Sequence, residues 1–485
     1  MRSLVLLVLL ACLACAPTAH GASRLVIRGA GFGHGIGMSQ YGAYGLSLQG
    51  VSYRDILARY YTGTTLAKLD ATPDVRVLLQ GSRRTLRVRG VVAAGDRELD
   101  PDTTYTVTRG GDGLLLRDGD RELLTSAPPM RLAAPGEEAF VLGGVSVPGV
   151  RDGRYRGALE VRPGSGGGVN AINALDLETY VRGVVSAESP SAWPAEQLKA
   201  QAIAARTYAI TSRAGSLSDG FDQYADVRSQ VYRGVDAERP STDAAVSATR
   251  SEVVTFAGKP VTTFFFSTSG GHTESVENSF VGSAPRPWLK GVKDPYDNLS
   301  PKHRWGPIRM TDRQATARLR GLVRGRFKSI KVLRRGASPR IVYAEVVGTG
   351  GRTRVTGPQL RRAFGLFDTW AYFTTVTTAV RKPKAPAPPA IVPPSTTDPA
   401  PGGGGVAPPA QVRAAAVGRS VIAGTITPAR RGAWVALQRR VGGRWVTAVA
   451  HQRADGGRYA VRAPGAGVYR VRYGDGVVGP DVRVR

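Results

Sequence analysis

Residues Val184–Ala209 read VVSAESPSAWPAEQLKAQAIAARTYA, and the rest of the chain is interpreted around them. Ahead of this stretch and into it, Leu177, Tyr180, Val181, Val184 and Val185 recur at helical spacing. Pro190 ends that pattern, because its ring pushes the preceding residue out of the helical region. A second helix is predicted from near Pro194, where a missing amide costs little, to about Thr211. Ala200, Ala202, Ala204 and Ala205 give it almost no side-chain bulk, so neighbours can pack close. Glu188 falls at the break between the two helices, beside Trp193. A carboxyl group sheltered there loses water and holds its proton to higher pH, as a general acid needs. The spacing alone leaves a solvated turn glutamate as the plainer alternative.

The same stretch resembles the SpoIID/LytB family. The pattern is a hydrophobic-V-x-x-E-x-P run followed by W/F-P-x-E-x-L-K-A-Q-A-x-A-A-R-T-Y-A. Here it is carried by Val184, Val185, Glu188, Pro190, Trp193, Pro194, Leu198, Lys199, Gln201, Arg206, Thr207 and Tyr208. The match is long and ungapped. That family includes sporulation-type lytic transglycosylases and amidase enhancers of the bacterial cell wall. The resemblance implies that Glu188 is the catalytic residue, with Lys199 and Arg206 holding N-acetyl, lactyl or carboxylate groups of the substrate. Without it, both cations read as ordinary helix-surface charge.

Composition sets the frame. With 485 residues and 42% hydrophobic content, the chain can build two or three domains. The formal charge of +29 favours a polyanionic partner, such as anionic wall polymers, a phospholipid surface or nucleic acid. Nucleic acid rests on charge alone, since aromatics are not interleaved with basic clusters. Arg2 followed by the apolar run Leu4–Leu13 reads as a secretory signal peptide over residues 1–21, cut at a small-x-small site at Ala19–Gly21. Leu9-Leu10-Ala11-Cys12 loosely resembles a lipoprotein signal, which would instead anchor a lipid on Cys12. Cys12 and Cys15 are the only cysteines, so cleavage would leave a secreted chain without disulfides.

Residues 25–66 open with a strand and a loop bearing glycines at 29, 31, 33, 35 and 37. Helices are predicted over Met38–Gln49 and Tyr53–Tyr61. The glycine spacing fits neither a dinucleotide fingerprint nor a P-loop. Two readings remain: a loop that needs glycine for its dihedrals, or one that brings backbone amides to a glycan, with His34 and Gln40 facing it. The segment resembles the family's GxGxGHGVGMSQYGA motif, which usually lies near the end of the catalytic domain. Its place at the start implies a circular permutation.

Residues 72–165 alternate as short strands and predict a β subdomain. Residues 170–378 predict a mixed core completed by 25–66. Strands are expected at Val253–Phe256 and Val261–Phe266, the latter opening into a Ser/Gly/His turn, Ser267–Thr273. Such a turn either places polar groups, His272 included, at a cleft or caps its own backbone. The resemblance puts the SQVYRG and S-x-S-G-G-x-T motifs at the border of the active site. It implicates Gln230, Tyr232, Ser267, Ser269, Gly270, Gly271 and Thr273 in substrate binding. Strands near Ile330–Leu333 and Ile341–Val347, then Val355–Leu366, close the domain.

Residues 379–411 are a Pro/Gly-rich linker that cannot bury a core. Residues 412–485 alternate again and predict an Ig-like β-sandwich of about seven strands. The expected class is thus α+β: a SpoIID-type catalytic domain with a β subdomain, a linker and a β-sandwich. A Ser/His/Asp mechanism is disfavoured, since no G-x-S-x-G elbow occurs. No metal site is expected, with few histidines and no H-E-x-x-H. The Cys/His cluster of some relatives has no counterpart in 212–229, and no cofactor is implied. A lytic transglycosylase needs one acid/base residue, because the substrate's own 6-hydroxyl attacks. The resemblance therefore implies a secreted enzyme that cuts peptidoglycan strands, some of them peptide-stripped, to 1,6-anhydro-muramyl ends. Its alternative is a non-catalytic wall-binding enhancer of an N-acetylmuramoyl-L-alanine amidase.

Overall fold

The computed structural model describes residues 23–377, apart from 112, 148, 213 and 216. It also describes residues 411–484, apart from 418–420, 428–433, 454–457 and 474–476. The expected signal peptide, Cys12 and nearly all of the expected linker lie outside the described residues. The described residues fall into two compact units, one on each side of the linker, and each is taken by itself.

In the first unit, two sheets of six and seven strands are built from residues 74–176, with a short parallel strand at Gln223–Tyr224. Alternation along them is clean: Val75, Val77 and Leu79 point inward from Asp74–Arg83, and Leu86 and Val88 from Thr85–Arg89. The expected β subdomain is therefore present as strands, but it has no core of its own. Its inward residues share one core with Leu177, Tyr180, Val181, Val184, Leu198, Ala202 and Ala205 of the helix pair. The last strand, Val169–Asp176, runs straight into the first of those helices.

Five helices matter for the site: α1 (Gln40–Ser47), α2 (Tyr53–Tyr60), α3 (Leu177–Glu188), α4 (Ala195–Thr211) and α5 (Pro240–Ala248). Helix α4 is the shared wall of two cores. Leu198, Ala202, Ala205 and Ala209 face the sheets and α3. Ala200, Ile203 and Ala204 face α1 and α2. A helix apolar on all sides belongs inside, and the four alanines are fully buried as their size allows. A larger side chain at Ala204 or Ala205 would overpack the wall, at about 1–3 kcal/mol.

The N-terminal segment enters this unit from the far end of the sequence. Strand Ser23–Ala30 lies between Arg304–Thr311 and Ala371–Thr377, antiparallel to both. The glycine-rich loop then crosses Ser267–Thr273: Phe32 bridges to Thr268, Ile36 to Glu274, and Met38–Ser39 pairs in parallel with Phe265–Phe266. One expectation fails here. Val261–Phe266 is not a continuous strand. Only Phe265–Phe266 pair as one, because Thr263 turns its hydroxyl to the α4 carbonyl of Ala204 and the Phe264 carbonyl serves Met38 and Tyr61.

The second unit is a pair of packed sheets. One holds Gln411–Val417, Val421–Thr427 and Arg458–Arg462; the other holds Trp434–Val441, Arg444–Arg453, Gly467–Tyr473, Val477–Val478 and Val482–Val484. Ile422, Ile426 and Val461 of the first sheet meet Val435, Leu437, Tyr469 and Val471 of the second in one core.

Candidate active site

Helix α3 begins on Asp176, whose carboxylate accepts the amides of Glu178 and Thr179 at 3.0 and 3.1 Å. It ends at Glu188. Ser189 is extended, as a residue before proline must be, and Trp193 closes the turn onto the Pro190 carbonyl at 3.0 Å. The Glu188 side chain thus leaves from the carbonyl end of a helix and is half-buried. Its Oε1 accepts the Val231 N–H at 2.8 Å. Burial holds its pKa above the ordinary carboxylate range, against the pull of the Val231 amide, the Gln40 amide and the Arg233 charge. The negative end of the α3 dipole acts in the same direction as burial. Glu188 in turn raises the pKa of the Tyr180 and Tyr208 phenols, whose own burial is the larger cause.

Gln40 is the residue of the glycine-rich segment that reaches Glu188. Its Nε2 donates to the Glu188 carbonyl at 3.1 Å and to Gln201 Oε1 at 3.4 Å. The next residue, Tyr41, gives its amide to the Ser267 carbonyl at 3.0 Å. Contacts therefore run from Glu188 through α1 to the start of the Ser/Gly turn. Half-exposed rings stand beside Gln40: Trp193 stacks on Tyr44 at 4.6 Å and meets Tyr41 edge-on at 5.0 Å. This shelf was only half legible. Trp193 stands out in the sequence, whereas Tyr41, inside the SQYGA motif, and Tyr44, just after it, do not. Val231 and Arg233 were missed as well, inside the SQVYRG motif.

Several residues expected on the substrate are engaged within the fold. Arg206 is fully buried. It forms a two-pronged pair with Glu178 at 2.9 and 2.7 Å and donates to the carbonyls of Glu252 and Val246. Its place on α4, one turn from Ala202 and three residues before Ala209, is the signal that it faces inward. Lys199 is held by Glu196 at 2.7 Å, and Glu196 also accepts the Tyr53 amide at the start of α2. Gln230 and Tyr232 are buried too. Gln230 accepts from Tyr180 Oη and donates to the Ala205 carbonyl, while Tyr232 donates to Asn173 at 2.8 Å. Between them they fix the loop that presents the Val231 N–H. Gly183 leaves room for this, since a Cβ there would come within 2.5 Å of the Tyr232 ring.

The Ser/Gly turn chiefly satisfies its own surroundings. Ser269, Gly270 and Thr273 are buried, and Ser267, Gly271 and His272 are half-buried. Gly270 donates to Asp297 at 2.6 Å, Gly271 to Ser269 Oγ at 3.0 Å, and Thr273 Oγ1 accepts the Val292 amide at 2.8 Å. His272 Nδ1 lies 2.6 Å from the Thr273 carbonyl. Beneath the turn sits an ion pair that sequence spacing could not reveal. Arg340 grips Asp368 at 2.9 and 2.8 Å and donates to the carbonyls of His272 and Ser269. The glycine-rich loop wraps over it: a Cβ on Gly35 would meet Arg340 Nε at 2.5 Å, and one on Gly31 would meet Asp368 Oδ2 at 2.6 Å. His34 is packed among Phe264, Phe266 and Phe280. Desolvation and the nearby Arg361 push its pKa down to about 3, so it stays neutral and accepts the Ile36 amide.

A sizeable cleft lies away from Glu188. It holds about 890 Å³ between Asp312–Arg318 and Phe327–Arg335, lined by Arg313, Arg320, Arg326 and Lys328 among others.

The stretch that supplies this arrangement, one sheltered carboxylate between a helix end and a loop amide, is also the stretch that matches known proteins. Residues 165–256, which hold α3, α4 and Glu188, match the family described as Stage II sporulation protein. Stage II sporulation protein D of Bacillus subtilis is 34% identical over 149 residues, covering 28% of this chain and 43% of the relative. An uncharacterized protein of Brachyspira hyodysenteriae is 38% identical over 159 residues, covering 32% and 40%. The amidase enhancer of Bacillus subtilis is 35% identical over 117 residues, covering 24% and 15%. The matched stretches thus span less than half of each relative's own length.

Proposed function

We propose that this protein is a secreted lytic transglycosylase that cuts peptidoglycan glycan strands, with Glu188 as the single acid/base. The observation that carries the reading is the state of Glu188: half-buried, one N–H on Oε1, pKa raised by burial, and no ion pair in contact among the described residues. A group so held keeps its proton to higher pH than an exposed carboxylate does and can give it to the glycosidic oxygen as the C1–O bond breaks. The resulting carboxylate then takes the proton from the muramyl 6-hydroxyl as O6 closes on C1, leaving a 1,6-anhydro end. The Val231 amide keeps the carboxylate aimed through both steps. Trp193, Tyr41 and Tyr44 supply flat apolar surface for sugar rings. The cell-wall setting draws support from the relatives, and the leader at 1–21 from its apolar run.

The resemblance to an amidase enhancer supports a second reading, a wall-docking partner of an amidase that keeps the aromatic shelf but needs no titrating Glu188. Digestion of purified glycan strands, with and without stem peptides, followed by mass spectrometry separates the two. The wild type should yield 1,6-anhydro-muramyl ends and Glu188→Gln should not. No such ends from the wild type, or equal amounts from the variant, would defeat the enzyme reading.

A further inference from the structure

The second unit concentrates charge of one sign. From residue 411 onward the chain has 14 arginines, 3 aspartates, and no lysine or glutamate. Strand pairing gathers part of that charge on one sheet face. Arg440 stands opposite Trp445, Gln438 opposite Arg470, Ala436 opposite Arg472, and Val468 opposite Arg483. Directly opposed residues of antiparallel strands share a face, and alternation keeps every second residue there. The other face is spent on the core through Val435, Leu437, Tyr469 and Val471. The outward face thus runs across four strands as Trp445, Arg440, Gln438, Arg470, Arg472 and Arg483. None of Trp434–Val441, Arg444–Arg453, Gly467–Tyr473 and Val482–Val484 contains an acidic residue. The Arg470 guanidinium lies over the Trp445 ring at 4.4 Å and donates through Nε to Gln438 at 2.9 Å. Its fork is therefore oriented before any ligand arrives.

From this we infer that the face is a docking surface for a linear phosphodiester-linked polymer, such as a chain of polyol phosphates. Three features favour that occupant. The cations are all arginine, whose planar fork matches a phosphate with two parallel bonds. They are spread over neighbouring strands about 4.8 Å apart rather than gathered in a pocket, which suits a repeating chain and not a single ion. The one large ring on the face, Trp445, is already covered by Arg470, which leaves two valines, Val468 and the exposed Val478, as apolar surface, too little to hold a bilayer. The inference does not depend on whether Glu188 cleaves glycan, and the glycan assay reports on that separately.

The full-length protein should bind a soluble poly(glycerol phosphate) with an affinity that falls steeply with salt. Arg440→Ser/Arg470→Ser should weaken it at least tenfold and reduce the log–log salt slope by about 1.4, the value for two phosphate contacts on a flexible chain. Melting temperature and glycan cleavage should be unchanged. Trp445→Phe should retain most of the affinity, and Trp445→Ala, which releases the Arg470 fork, should not. Four outcomes would overturn the assignment: no binding by the wild type, full binding by the double variant, equal binding of polyglutamate of matched charge, or tighter binding to anionic phospholipid vesicles than to the polymer. A fifth would move it: loss of affinity in Arg313→Ser/Arg320→Ser instead would place the site in the basic cleft of the first unit.

Discussion

The two ends of helix α3 carry the same side chain under opposite conditions. At the amide end, Glu178 is buried and fully engaged: Arg206 holds both its oxygens, and the Ser251 amide donates to Oε1 at 3.0 Å. The helix dipole there favours its charge. At the carbonyl end, Glu188 has one N–H on Oε1, a dipole that opposes its charge, and solvent on part of its surface. The first carboxylate is spent on holding α3 to α4. The second is held without being neutralised. Burial alone does not mark a functional acid; burial with unmet demand does.

The sharpest way to break this contrast is Glu188→Gln. Glycan cleavage should fall by about 10²–10⁴-fold, the usual worth of a general acid/base, while circular dichroism and melting show a folded protein. The wild-type rate should also decline with rising pH on an ionisation above the ordinary carboxylate range. At the other end, Arg206→Ala leaves a buried carboxylate without its partner and should cost about 3–5 kcal/mol in denaturant unfolding. Its activity should follow the folded fraction rather than fall independently. Trp193→Ala, beside the Glu188 end, should raise KM about tenfold with little change in kcat. The smallest effect is thermodynamic. The folded protein holds the Glu188 proton more tightly than the unfolded chain does, so this group costs stability as pH rises through its raised value. Glu188→Gln should therefore gain melting temperature relative to the wild type as pH rises through that value, with the gap closing toward acid. A gap that opened toward acid instead would mean the Glu188 carboxylate is stabilised as an anion.

The helix pair was legible because its signals are local. Pro190, Pro194 and the alanine run fix where α3 stops and α4 begins, and the observed Leu177–Glu188 and Ala195–Thr211 follow them closely. What was not legible depends on partners far along the chain. Arg206 reads as surface charge until Glu178 and the carbonyls of Val246 and Glu252 surround it. The glycines of the N-terminal loop allow a ligand reading until Arg340 and Asp368, hundreds of residues away, fill the space beneath Gly31 and Gly35. The catalytic candidate was visible and its loop-amide partner was not, because a backbone N–H has no side chain to advertise it.

The pairing of Ser23 with Thr377 has a consequence for ancestry and engineering. The backbone enters this unit and leaves it at facing positions on adjacent antiparallel strands. A two-residue turn from 377 to 23 would make a β-hairpin of them. A new opening cut between α2 and Asp74–Arg83 would then put the glycine motif last. Rearranged genes of both orders can thus encode one and the same set of contacts, and the hairpin-joined version should fold to it.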